Sequence, residues 1–275
     1  MAGRLLAISD LHIGYPENRA YADALAAGDA EDWLIVAGDV GEAFADVGFV
    51  LASLAGRFAK VIWAPGNHEL WTHPADPVAL RGVARYEALV KVCQRFGVLT
   101  PEDEFPVWDG PGGPVTVAPL LTLYDYSFPG ASAAAGSRAA AVAAARKAGI
   151  VPVDEGRLHA DPYPSVAEWC RARAAATERR LAAIDGPTVL VSHWPLLREP
   201  TAALRQQAFA PWCGTTRTSG WHTRFPVRAA VYGHLHIPRT THYDGVRFEE
   251  VSVGYPREWQ RRGIAPPPPR VILGA

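Results

Sequence analysis

Cysteine is scarce in this chain of 275 residues: Cys93, Cys170 and Cys213 are the only three. An odd count at wide spacing argues against a disulfide framework and against a thiolate metal site, and fits reduced thiols in a cytoplasm. A surplus of charge is missing too. Lys+Arg number 27 against 28 Asp+Glu, and a net charge of -1 gives no global field to draw the chain onto nucleic acid or anionic lipid. No apolar run approaches the ~20 residues that a membrane-spanning helix needs. The opening Met1-Ala2-Gly3-Arg4 lacks the series of basic segment, long apolar segment and small-residue cleavage site that marks a secretory leader. These absences lead us to expect a soluble, cytoplasmic protein with no membrane association and no stable nucleic-acid partner. The length is ample for a buried core in one large domain.

Short runs rich in Val, Ile and Leu recur at 5–9, 33–37, 61–64, 115–121, 188–192, 230–232 and 246–253, and they read as mostly buried strands. Helical patterns lie between several of them. One takes Asp76-Pro77 as cap and first-turn proline, keeps apolar spacing to Phe96 and stops at Gly97. Another opens on the capping-box sequence Ser165-Val166-Ala167-Glu168 and ends near Asp185-Gly186-Pro187. Strands alternating with helices indicate an α/β architecture. The Ala-rich stretch 131–148 fits a helix, a loosely ordered lid or plain compositional bias. Residues 1–260 read as a single domain, with a cap or lid insertion at about 124–165 and a Pro-rich tail at 261–275 whose Pro266–Pro269 run is extended and peripheral.

Chemistry concentrates where the apolar runs end. Asp10-Leu11-His12 follows the first, Gly38-Asp39 the second and Gly66-Asn67-His68-Glu69 the third, while Ser192-His193 and Gly233-His234-Leu235-His236 close two later ones. Open α/β sheets build their sites at the carboxyl ends of strands. One Asp-x-His alone is an ordinary turn or surface pair; five polar clusters, each at a strand end, are a constellation. Carboxylates, an amide oxygen and neutral imidazoles are ligands for manganese, iron or zinc, so a catalytic rather than a structural metal is expected. The glycines before Asp39, Asn67 and His234 would let the backbone turn sharply off the sheet.

In its ordered series Asp-x-His, Gly-Asp, Gly-Asn-His-Glu, His and Gly-His-x-His, spanning residues 10 to 236, the chain resembles the calcineurin-like metallophosphoesterases. The resemblance implies two packed mixed β-sheets flanked by helices and two transition-metal ions, manganese and/or iron with zinc also compatible. One ion would take Asp10, His12 and His236, the other Asn67, His193 and His234, with Asp39 bridging them. His68 would be no ligand but the catalytic general acid facing the leaving group. Two ions roughly 3.5–4 Å apart hold a hydroxide and clamp the phosphoryl oxygens for in-line displacement. Hydrolysis without a covalent enzyme intermediate is therefore expected.

Further blocks carry a narrower resemblance: Phe58-Ala59-Lys60-Val61-Ile62-Trp63, Asn67-His68-Glu69-Leu70-Trp71, Trp212-Cys213-Gly214-Thr215-Thr216, Trp221-His222-Thr223-Arg224 and Val253-Gly254-Tyr255-Pro256-Arg257-Glu258-Trp259. They are similar to the actinobacterial phosphopantetheinyl hydrolases, which implies a phosphodiester substrate, a holo acyl carrier protein that loses its 4′-phosphopantetheine. Residues 128–163 depart from that family. Trp71, Tyr124 and Arg257 are candidate substrate contacts, and either Arg257, Arg261 and Arg262 or the helix arginines Arg171, Arg173, Arg179 and Arg180 form a candidate docking surface for an acidic partner. Cys213 lacks an adjoining base and reads as a packed thiol, while His73, His159, His222 and His242 read as surface or structural. A nucleotide or other small phosphoester is the alternative substrate. A non-catalytic scaffold on the same fold would be expected to have lost ligands, and here every ligand position is filled.

Overall fold

The computed structural model describes residues 3–130 and 136–274. Among these the strands are β1 (Leu5–Ile8), β2 (Trp33–Val36), β3 (Lys60–Trp63), β4 (Val107–Trp108), β5 (Val115–Pro119), β6 (Thr188–Val191), β7 (Val227–Tyr232), β8 (Arg239–Tyr243), β9 (Val246–Glu250) and β10 (Arg270–Leu273). The helices are α1 (Pro16–Ala24), α2 (Phe44–Ala55), α3 (Asn67–Leu70), α4 (Gly82–Arg95), α5 (Arg138–Lys147), α6 (Asp154–Arg157), α7 (Val166–Leu181), α8 (Trp221–Arg224) and α9 (Pro256–Arg261).

Two mixed sheets form, one of four strands in the order β10-β1-β2-β3 and one of six in the order β4-β5-β6-β7-β9-β8. Side chains alternate across each strand, which explains why the runs are apolar throughout. Leu5 and Ala7 of β1, Ile35 of β2 and Ile62 of β3 meet Val117, Val189, Val191 and Val231 of the second sheet in a core between the layers. Leu6, Ile8, Leu34 and Val61 point the other way, under Val47, Leu51 and Leu54 of α2 and Leu89 and Cys93 of α4. The far face of the second sheet packs Leu190, Ala230 and Phe248 against Ala174 and Leu181 of α7 and Trp221 of α8. Helices thus cover the outer face of each sheet. None of those described is long and apolar enough to cross a membrane.

Two local expectations change, and one left open is decided. Helix α4 begins at Gly82, because the Asp76 carboxylate accepts hydrogen bonds from the Phe44 and Val78 N–H groups and the Arg85 guanidinium instead of capping a helix. Beyond the four prolines, the C-terminal stretch is not peripheral: β10 pairs antiparallel with β1 and buries Ile272 in the inter-sheet core. In the Ala-rich stretch residues 131–135 lie outside the described residues, and the remainder forms α5, capped by Ser137 Oγ accepting from the Ala140 N–H. Ser165 caps α7 in the same way, as its sequence predicts.

Candidate metal centre

β1, β2 and β3 run parallel, as do β6 and β7, so the segments leaving their carboxyl ends gather at one rim of the molecule. The chain turns there under constraint. Asp10, His12, Asp39, His234 and His236 all adopt positive φ, a region that L-residues seldom occupy and that costs about 1–3 kcal/mol each. Such strain persists only where surrounding structure holds it, and here it aims the side chains inward. The glycines divide this labour differently from the sequence expectation. Gly38 has φ +87 and makes the turn, whereas Gly66 and Gly233 allow close approach: a Cβ on Gly66 would lie 2.1 Å from Asp39 Oδ1, and one on Gly233 2.2 Å from Asp10 Oδ2.

The seven sequence-predicted ligands come together. In one group, Asp10, His12 and His236 offer ligand atoms within 4.8 Å of one another; in a second, Asp39, His193 and His234 do the same. Asn67 Oδ1 joins the second at 3.1 Å from His193 Nε2, which also lies 3.1 Å from His234 Nδ1. Asp39 stands between the groups, its Oδ2 3.3 Å from His193 Nε2 and 4.0 Å from His12 Nε2. All seven are buried or nearly so. The ring nitrogens of His12 and His236, 3.1 Å apart beside Asp10, and those of His193 and His234, 3.1 Å apart beside Asn67 Oδ1, converge with the carboxylates in a donor set suited to transition-metal ions. The residues therefore fit metal ions.

Outer partners fix this geometry. His193 Nδ1 donates to the Ala37 carbonyl and His236 Nδ1 to Glu258 Oε2, which turns each Nε2 toward the centre. Ser9, Ser252 and the His234 N–H all donate to Asp10 Oδ2. Glu69 accepts from the N–H groups of Asp39, Val40 and Gly66, locking two loops together. Burial, followed by repulsion from Asp39, raises the Glu69 carboxyl to about 7. Burial and then repulsion from His68 hold His12 well below the usual imidazole range, and burial with His193 brings His234 down to about 3. Both rings are therefore neutral, with lone pairs available. Burial also disfavours a charged His193, but the Asp39 carboxylate outweighs it and raises that ring to about 9. Metal loading would have to displace its proton.

His68 lies against the same centre, its Nε2 3.8 Å from Asp39 Oδ2 and its Nδ1 3.2 Å from Glu42 Oε1. Against the cost of burial, Asp39 and Glu42 raise its pKa. Trp71 lies against it, the rings tilted by 32° with centroids 3.7 Å apart. Tyr124 is buried between Tyr126 and Trp194. Arg257 is exposed and covers the ring of Tyr255, which stacks on His12. A cleft of about 400 Å³ opens from His12 past Tyr15, Glu42, Ala43 and His73 to Pro77. His73 thus lines the approach rather than a remote surface, whereas His222 is buried against Asp244. Burial holds the Cys213 thiol well above its ordinary range, so it is no nucleophile. Sequence reasoning missed Glu42, although it sits three residues after Asp39 in the same turn. It also missed Asp154, 6% exposed, which no local pattern marks.

The pattern of the calcineurin-like phosphoesterase family matches residues 3–132. The acyl-carrier-protein phosphodiesterase PptH of Mycobacterium tuberculosis is 55% identical over 260 residues, spanning 94% of this chain and 80% of that protein. The crystal structure of phosphopantetheinyl hydrolase (PptH) from Mycobacterium tuberculosis superposes with a TM-score of 0.96 at 52% identity, covering 100% of this chain and 97% of the other. On this relatedness, and with the motif residues gathered as described, the chain belongs to the calcineurin-like phosphoesterase family and is a hydrolase of phosphoric esters.

Proposed function

We propose that the protein hydrolyses the phosphodiester of a holo acyl carrier protein and releases 4′-phosphopantetheine. The observation that carries this reading is the pair of adjoining His/Asp groups, Asp10 with His12 and His236 and Asp39 with His193 and His234, in a chain 55% identical to an acyl-carrier-protein phosphodiesterase. Asp10, His12 and His236 would hold one ion and Asn67, His193 and His234 the other, with Asp39 between them; the donor set suits manganese or iron, and zinc is also compatible. Such ions supply a nucleophile at neutral pH and positive charge for the phosphoryl oxygens. His68, held by Glu42, donates a proton to the leaving serine oxygen. Trp71 fixes the His68 ring, and the described residues of the 124–165 segment act as a cap over that side of the site. Tyr124 supports the wall from behind, and Arg257 meets substrate at the rim. The free, buried Cys93, Cys170 and Cys213 suit a reducing cytoplasm.

Incubating holo acyl carrier protein with manganese- or iron-loaded enzyme should yield the apo protein and free 4′-phosphopantetheine, read by intact mass. Holo protein left intact by enzyme that cleaves a small nitrophenyl diester would overturn the carrier-protein substrate and favour a small phosphoester.

A further inference from the structure

The Asn67 side chain has two nearly isosteric ends, and only its oxygen can face a cation. Rotation of the amide by half a turn would present an NH₂ group and repel one. The strand-end loop does not itself settle which way the amide lies. The settling group comes from the cap: Asp154 Oδ1, on α6, accepts from Asn67 Nδ2 at 3.0 Å and from Trp71 Nε1 at 2.6 Å. A carboxylate only accepts, so it selects the orientation in which Nδ2 turns away from the centre and Oδ1 faces His193. Asp154 belongs to none of the three groups of converging ligand atoms, Asp10 with His12 and His236, His12 with Asp39 and His68, and Asp39 with His193 and His234.

α6 is clamped to the loop it serves. The Thr72 N–H donates to the Arg157 carbonyl at 2.9 Å, and Trp71 forms a β-bridge with Leu158. The Arg157 guanidinium lies 5.4 Å from the Trp71 ring centre and 3.5 Å from Glu42 Oε2. One turn of the cap therefore touches the outer side of a proposed ligand, the ring beside His68 and the carboxylate that holds His68.

We infer that Asp154 is a positioning residue for the proposed metal site containing Asn67, His193 and His234, coupling α6 to metal retention at that site alone. The inference rests on the reading of Asn67 as a ligand. Mn²⁺ titration of the full chain by calorimetry, after chelator treatment, should resolve two binding steps. Asp154→Ala should weaken one step by about 10- to 100-fold and spare the other, the usual cost of removing a ligand's outer partner. Asp154→Asn keeps an acceptor for both donors without the charge, and should restore that step most of the way. Equal weakening of both steps in Asp154→Ala would show that α6 only packs, and unchanged steps would show that Asn67 holds its orientation unaided; either overturns the inference. A loss in Asp154→Asn as large as in Asp154→Ala would overturn it in favour of a simple charge effect. Failure of the underlying ligand reading looks different: Asn67→Ala would then leave both steps at wild-type affinity.

Discussion

His68 carries the most direct test at the scale of a single residue. Its ring touches Asp39, Glu42 and Trp71 but is needed by neither proposed ion. His68→Ala should lower kcat by about 10²- to 10⁴-fold with metal content unchanged, since a proton donor and not a ligand is lost. The defect should shrink for a nitrophenyl leaving group, which departs without help; an equal loss on nitrophenyl and alkyl esters would remove His68 from the role of acid. Glu42 faces the same ring. Its carboxylate favours the imidazolium, so Glu42→Gln should lower the His68 pKa. An acid works only while protonated, and the rate is lost as pH rises through its pKa. The alkaline fall in kcat should therefore move to lower pH in Glu42→Gln; a limb that stays in place would assign it to another group.

At the scale of elements, side chains tie the entries of neighbouring strands together. Arg4, entering β1, donates from its backbone N–H, Nε and Nη2 to the carboxylate of Asp32, entering β2. The Arg4 hydrogen bond leads the effects that hold the Asp32 carboxyl down at about 2, against about 3.9 in an unfolded chain. A depressed carboxyl contributes stability above its unfolded pKa and loses it as pH falls toward the folded one. Arg4→Met should be less stable than wild type to urea at pH 7, with the gap closing between about pH 4 and pH 2. A gap of constant size across that range would mean that packing, not the ion pair, makes the difference. Elements whose two faces are both buried were legible in sequence, because burial leaves an uninterrupted apolar run: β1, β2, β3 and β6 fall where the runs predict. Those stabilised mainly by pairing were not. β8 has an exposed polar alternation at a sheet edge, β4 is only two residues long, and β10 lies beyond a proline run. The converging set of seven side chains was legible because each member sits beside its strand. Asp154 was not, because it reaches Asn67 from 87 residues away through a segment with no periodic signal.

The whole molecule is nearly neutral, so attraction to an acidic carrier must come from a patch. Arg257, Arg261 and Arg262 are exposed at α9, directly after the Tyr255 that stacks on His12. Arg261→Glu should reduce turnover of the carrier protein and make it less sensitive to salt, with turnover of a small nitrophenyl diester unaffected. A parallel loss on both substrates would move this patch from docking to the site itself. The distribution of ligands along the chain has a separate consequence, for biosynthesis. Asp10 and His12 share their group with His236, and Asp39 shares its own with His193 and His234. A ribosome delivers the carboxylates and Asn67 early, but neither group can close until the segment after β7 has emerged. On the proposed ligand assignment neither site would be complete until late in translation, and a retained ion would report that both sheets have come together.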